Sequence, residues 1–207
     1  ICSRFNSEYG FSLSDAQILT TDKNWAEYTE QVMSELHEWL HSMPETKVCE
    51  IGDKNLEKTS LCKTGQDLAR LAGGWLTSKL MGIMKDRNVE INNLKIKPEN
   101  FAELVALIYA NRVNSTNAQK ILAEMLDSGV NIDPTHIMED KGYGQISDAS
   151  AIGALVDEVI KNYPKQVADF KAGKEPLIKF LIGMAMKASE GSADPVLVEN
   201  TLREKLK

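Results

Sequence analysis

Apolar residues recur every three to four positions from the first quarter of the chain onward. Trp25, Tyr28, Val32, Leu36, Trp39, Leu40 and Met43 fall on one stripe of period 3.6, which predicts a helix capped by Asp22 and ended at Pro44. Leu68, Leu71, Ala72, Trp75, Leu76, Leu80 and Ile83 line one face of a second helix. Gly73-Gly74 in its middle costs about 2 kcal/mol against two alanines, so the pair predicts a close helix contact there. Between these helices, Thr46 to Lys63 mixes Gly, Asp, Asn and Lys with few apolar positions and reads as a long loop or insertion.

Three more helices are predicted: Pro98 to Tyr109, Ser115 to Asp127 with Gly129 behind it, and Pro134 to Asp140 with Gly142 behind it. Gly142-Tyr143-Gly144 then makes the best internal boundary, a hinge, because Ser147 or Asp148 opens a new helix running to about Asn162. Helices near 148–162, 165–172, 176–190 and 195–206 complete a small tail. The third of these, apolar nearly all round, is expected at its centre. The punctuation of the tail is specific. Gly173 can supply a φ > 0 stop, Pro176 pre-sets a first turn, Gly191 ends that helix, and Asp194-Pro195 reads as N-cap plus first helical position. The fold class is therefore all-α, a multi-helix domain followed by a small helical tail. The division predicted is a connection over residues 1–20, a helical domain over 21–144 with an inserted loop near 46–63, and the tail over 145–207.

Composition adds limits. The chain has 207 residues, 43% apolar and 26% charged, enough for a proper core and typical of a soluble globular protein. Cys2, Cys49 and Cys62 are a sparse, odd set, and nothing resembles a secretory leader, so a reducing cytosol or organelle interior is expected. The longest apolar run, Leu177 to Ala188, is broken by Lys179 and Lys187 and is too short for a bilayer, so no membrane association is expected. Ile1 in place of a Met start suggests a piece of a longer chain.

Charge changes the picture locally. The formal net charge is −6, unhelpful for a polyanion. Between Lys161 and Lys187, however, Lys161, Lys165, Lys171, Lys174, Lys179 and Lys187 face only Asp169 and Glu175. This is the best basic patch of the chain. On charge alone it reads as the solvated face of a small bundle.

Two other patterns bear on chemistry. His37-Glu38-Trp39-Leu40-His41 satisfies H-E-x-x-H on a predicted helix, where histidines at i and i+4 share a face and the glutamate could activate a zinc-bound water. Pro44 ends that helix at once, charged Glu35 sits in its flank, and a third ligand would have to come from Glu45, Cys49, Glu50 or Cys62. The simpler reading is a solvated histidine pair beside core Trp39 and Leu40. No glycine-rich phosphate loop follows a predicted strand, and Tyr143 either stacks on a base or seals the hinge. Trp25, Trp39 and Trp75 lie on helical stripes and read as packing, as do Met81, Met84, Met184 and Met186.

Several ordered anchors carry a resemblance. They are Tyr9-Gly10, Leu13-Ser14-Asp15-Ala16 with Leu19-Thr20, Gly74-Trp75-Leu76, Gln145-Ile146-Ser147-Asp148, and the tail run of Gly173-Lys174, Phe180-Leu181-Ile182-Gly183, Met186-Lys187 and Gly191 to Pro195. Over nearly its whole length the chain resembles the C-terminal half of GatB, a component of the glutamine-dependent aspartyl/glutamyl-tRNA amidotransferases, including the helical tail shared with YqeY-type proteins. The resemblance implies an N-terminal domain, outside this sequence, that uses ATP and Mg²⁺ to activate the carboxylate of a mischarged tRNA. It further implies ammonia from a partner amidase subunit, a small third subunit, and a cytoplasmic or organellar setting. It assigns this segment no catalytic residue or cofactor of its own. The helical region and tail of the family contact tRNA at its outer corner, which makes Lys165, Lys171, Lys174, Lys179 and Lys187 the expected tRNA-binding residues, with Gly142 and Gly144 as hinge. One departure stands out: where the family tends to have Lys-Gly-Lys-Ala-Asn-Pro, this chain has Glu190-Gly191-Ser192-Ala193-Asp194-Pro195. The alternatives are a zinc hydrolase centred on His37, Glu38 and His41, and a protein-binding adaptor suited to the acidic balance of residues 1–147.

Overall fold

The structure, a computed structural model, describes residues 2–42 and 63–206. It is all-α, and no strand forms among the described residues. The opening, expected as a polar connection, instead folds as α1 (Cys2–Tyr9) and α2 (Leu13–Thr20). Ser12 caps α2 by accepting from the Asp15 N–H at 3.0 Å. The turn between them is apolar inside, with Phe5 and Phe11 fully buried and meeting edge to face at 5.9 Å.

Asp22 caps α3 (Lys23–Ser42) as predicted, its carboxylate accepting from the N–H groups of Asn24 and Trp25 at 2.8 and 3.1 Å. Val32 and Leu36 are buried, and Trp25, Tyr28 and Trp39 are half-buried against the same core. Tyr28 donates its hydroxyl to the Ile96 carbonyl at 3.1 Å, and burial pushes its pKa up. Met43, Pro44 and the predicted loop as far as Cys62 lie outside the described residues.

The second predicted helix is continuous but not uniform. α4 (Lys63–Gly74) passes through a π-helical stretch, Trp75–Leu80, into α5 (Met81–Asp86). The close approach predicted at Gly73-Gly74 is real at one of the two. A Cβ on Gly73 would fall 3.2 Å from the Phe11 ring, whereas one on Gly74 would meet nothing within 4 Å. One turn on, Thr77 donates to Asp15 at 2.8 Å, fixing α2 to the π turn. Widened turns of this kind are rare and occur mostly as single-turn interruptions of α-helices.

α6 (Pro98–Tyr109), α7 (Ser115–Asp127) and α8 (Pro134–Asp140) complete the first core, with Phe101, Leu104 and Val105 of α6 fully buried at its centre. Asn114 and Asp133 cap α7 and α8. Arg87 reaches Asp127 with two bonds of 3.0 and 2.9 Å, and that hydrogen-bonded guanidinium holds the Asp127 carboxyl below its usual range.

The tail holds α9 (Ala149–Asn162), α10 (Pro164–Lys171), α11 (Leu177–Ala188) and α12 (Pro195–Leu206), within one or two residues of the predicted bounds. α11 packs against the other three and buries Ile178, Leu181 and Ala185. Gly173 and Gly191 take φ of +100° and +78°, as their helix-stop role requires. Asp194 accepts from the N–H groups of Val196 and Leu197, so Pro195 sits at the first helical position.

The two cores meet along a seam that helical periodicity could not announce. Across it the Gln145 N–H donates to the Arg112 carbonyl at 2.7 Å; beside it, within the tail, Ile146 makes a parallel backbone bridge with Ala193, donating to Ser192 at 2.6 Å and accepting from Asp194 at 3.1 Å. Asn114 adds a side-chain bond to the Gly191 carbonyl while its Oδ1 caps α7.

Candidate nucleic-acid interface

All six lysines between Lys161 and Lys187 are exposed. They come from the end of α9, both ends of α10, the turn after it, and the outer side of α11. Lys174 is spent internally, its ammonium 3.1 Å from Asp169. Glu175, the other carboxylate of the stretch, is met by Arg203 of α12 at 3.3 Å. Lys161, Lys165, Lys171, Lys179 and Lys187 make no ion pair within 4 Å among the described residues. Within this stretch Asp169 and Glu175 are thus neutralised by Lys174 and Arg203, leaving five ammonium groups facing water. Counting charges in the sequence could not separate Lys174 from the rest, because its pairing depends on how the turn after α10 closes.

The glycine boundary has two different members. Gly142 ends α8 at φ +65°, while the Tyr143 N–H donates back to Met138 at 2.9 Å. Gly144 keeps an ordinary φ, and a Cβ there would make only normal contacts with Met138 and the Arg112 carbonyl. Tyr143 between them packs on the first core, with the Lys120 ammonium 5.2 Å from its ring centre and its hydroxyl donating to Glu124 at 3.3 Å. Burial, with Glu124 beside it, pushes the phenol above its usual range. Its ring is committed to sealing the boundary.

The departure from the family pattern at Ser192 also has a place. Ser192 is buried at the seam, where its hydroxyl accepts from Asn117 at 3.0 Å, so that position presents nothing to solvent. Glu190 is exposed and holds φ +51°.

His37 and Glu38 are exposed on α3, and the side chain of His41 lies outside the described residues, as do Glu45, Cys49, Glu50 and Cys62. Among the described residues no three His, Cys, Asp or Glu side chains gather as a metal site. No described helix is long and apolar enough to cross a membrane.

This architecture defines a helical protein of two cores, the second a four-helix tail with a lysine-bearing outer face. The chain belongs to the GatB/YqeY family: the family profile described as GatB domain matches residues 58–206. Similar proteins include the GatB component of the aspartyl/glutamyl-tRNA(Asn/Gln) amidotransferase from Prochlorococcus marinus (strain AS9601), 31% identical over 203 residues, and from Rickettsia canadensis (strain McKiel), 32% identical over 203. Its counterpart from Caldicellulosiruptor bescii is 33% identical over 206 residues. Each match takes in 98% of this chain but only 35% or 36% of the relative, so the chain spans about a third of the length of the curated relatives it matches.

Proposed function

We propose that this chain is the tRNA-holding, non-catalytic part of the GatB component of an aspartyl/glutamyl-tRNA amidotransferase, the activity its relatives' names describe. The observation that carries this reading is the charge arrangement of the tail. Lys161, Lys165, Lys171, Lys179 and Lys187 stand exposed and unpaired, while Asp169 and Glu175 are neutralised from within. Lysines so placed bind backbone phosphates without reading bases, which suits recognition of a folded RNA by its shape. Residues 21–144 serve as the body and 145–207 as the tail, with Gly142 and Gly144 allowing the tail to be set at the angle the RNA requires.

In this reading ATP and Mg²⁺ belong to a catalytic domain of the longer protein, and the amidase and small subunits of the amidotransferase are the protein partners. The setting is the cytoplasm or an organelle that makes protein. The test is binding of the chain to folded tRNA across salt concentrations, comparing wild type with Lys171, Lys174, Lys179 and Lys187 together changed to Glu. Steeply salt-dependent binding that collapses in the variant supports the reading. Binding indifferent to the four changes, or none at low salt, counts against it.

A further inference from the structure

Phe180 is out of keeping with the helix that carries it. Its neighbours Ile178 and Leu181 are in the tail core, yet Phe180 leaves 38% of its surface exposed. Its ring meets Tyr163 edge to face at 5.5 Å and 87°, so it is steadied by one neighbour rather than sandwiched. Three residues further along the same side of α11 is Gly183, exposed, with no heavy atom within 4 Å of where a Cβ would stand and no positive φ to require glycine. Glycine is the poorest helix former after proline, and neither backbone nor packing asks for it here. The result is a bare stretch of helix beside an open aromatic ring. Lys179 and Lys187 stand one turn before and one turn after Gly183 on that face, and Lys161 and Lys165 lie two residues either side of Tyr163 in the sequence.

We propose that Phe180 and the bare backbone at Gly183 receive one unpaired nucleobase of the bound RNA, stacked on the Phe180 ring, with its flanking phosphates on Lys179 and Lys187. The inference rests on the tRNA-holding reading above and adds a site to it. Folded RNAs present unstacked bases at loops and bulges, and aromatic side chains hold them whatever their sequence. The unpaired lysines on the same face of α11 decide the class of occupant. An apolar protein side chain seated on Phe180 gains nothing from Lys179 and Lys187, whereas a nucleotide brings both a planar base for the ring and a phosphate on each side of it.

Two variants of the full chain, measured against folded tRNA over a range of salt, test the site. Phe180→Leu keeps an apolar side chain against Tyr163 and is expected to weaken binding about tenfold, with the slope of log K against log salt unchanged because no phosphate contact is lost. Gly183→Ala is expected to raise the melting temperature by about 2–4 °C while weakening binding severalfold, a combination that misfolding cannot produce. Wild-type affinity in both variants overturns the stacking site and leaves the lysine reading standing, as does a Phe180→Leu loss accompanied by a shallower salt slope. Absence of tRNA binding by the wild type overturns both.

Discussion

The side-chain amide of Asn117 donates to the hydroxyl of Ser192 at 3.0 Å and to the carbonyl of Tyr143 at 3.2 Å, so one buried residue ties α7 to the end of α8 and to the tail. Its Oδ1 is buried without a hydrogen-bond partner. The two facts pull in opposite directions. Asn117→Ala removes both donors and strands a buried carbonyl and hydroxyl, which costs about 1–3 kcal/mol, but it also removes one unsatisfied oxygen. We expect the net loss in the lower half of that range. Denaturant unfolding measures it, and hydrogen exchange should show the added opening at Gln145–Ile146 and Ser192–Asp194, where the backbone bonds at and beside the seam lie. Exchange that rises instead in the middle of α6 would mean that Asn117 supports the first core rather than the seam.

Gly73 and Gly74 are adjacent, yet alanine should act on them with opposite signs. At Gly74 the added methyl enters open space on a helix with ordinary backbone angles, and the expected gain is about 0.5–1 kcal/mol. At Gly73 the same gain is offset by contact with three ring carbons of Phe11 between 3.2 and 3.4 Å, and Phe11 is fully buried and cannot swing away. The expected result is a net loss of about 1 kcal/mol or more. A pair of thermal melts decides it, and equal shifts in one direction would contradict the account.

Much of this fold was legible because its helix boundaries are set by local chemistry. Asp22, Asp148 and Asp194 each cap the helix that follows, and Gly142, Gly173 and Gly191 each take the positive φ their position suggested. What escaped the sequence depends on contacts between distant segments. Eight-residue helices such as α1 and α2 give too few turns for a stripe to stand out, so the burial of Phe5 and Phe11 could not be read. The Ile146–Ala193 bridge obeys no helical period. At the π turn, Phe11 packs close to Gly73 and Asp15 accepts from Thr77, contacts that no single helix pattern records. At the tail, lysine spacing was visible, but the Arg203 and Lys174 pairings that leave the other five exposed lysines unopposed appear only when the turn after α10 closes and α12 brings Arg203 to it.

Glu103 supplies a pH dependence of known sign. Burial pushes its carboxyl above the usual range, outweighing the bond Thr135 donates to it at 2.6 Å. The folded chain therefore binds this proton more tightly than the unfolded chain does. The contribution is favourable below the ordinary glutamate pKa and is lost as pH rises through the raised folded value. Glu103→Gln keeps an oxygen for Thr135 and cannot ionise. Its melting temperature should exceed wild type by about 1–2 °C at pH 7, with the difference closing by pH 3.5. Melting curves across that range test it, and a difference that is constant or that grows toward acid would contradict the assignment.

The lysines of the tail should not be equivalent in RNA binding, and the salt slope separates them. Each phosphate contact that is lost lowers the slope of log K against log salt by about 0.7–0.9, whereas a change in field without a contact moves affinity and leaves the slope nearly unchanged. Lys179→Gln and Lys187→Gln remove unpaired cations on the face that carries Phe180, so each should reduce the slope by close to one contact. Lys174→Gln removes an ammonium already committed to Asp169 at 3.1 Å. Its loss uncovers that carboxylate, so affinity should fall modestly through repulsion while the slope holds. Lys165→Gln and Lys171→Gln lie on α10, about 120° apart around its axis at 3.6 residues per turn, so a single RNA strand should reach one of the two and spare the other. Titrations of the five single variants at four salt concentrations decide the matter. If Lys174→Gln costs a full contact, the Asp169 pair opens on binding; if Lys165 and Lys171 both do, the RNA wraps the end of α10 rather than passing along one side of it.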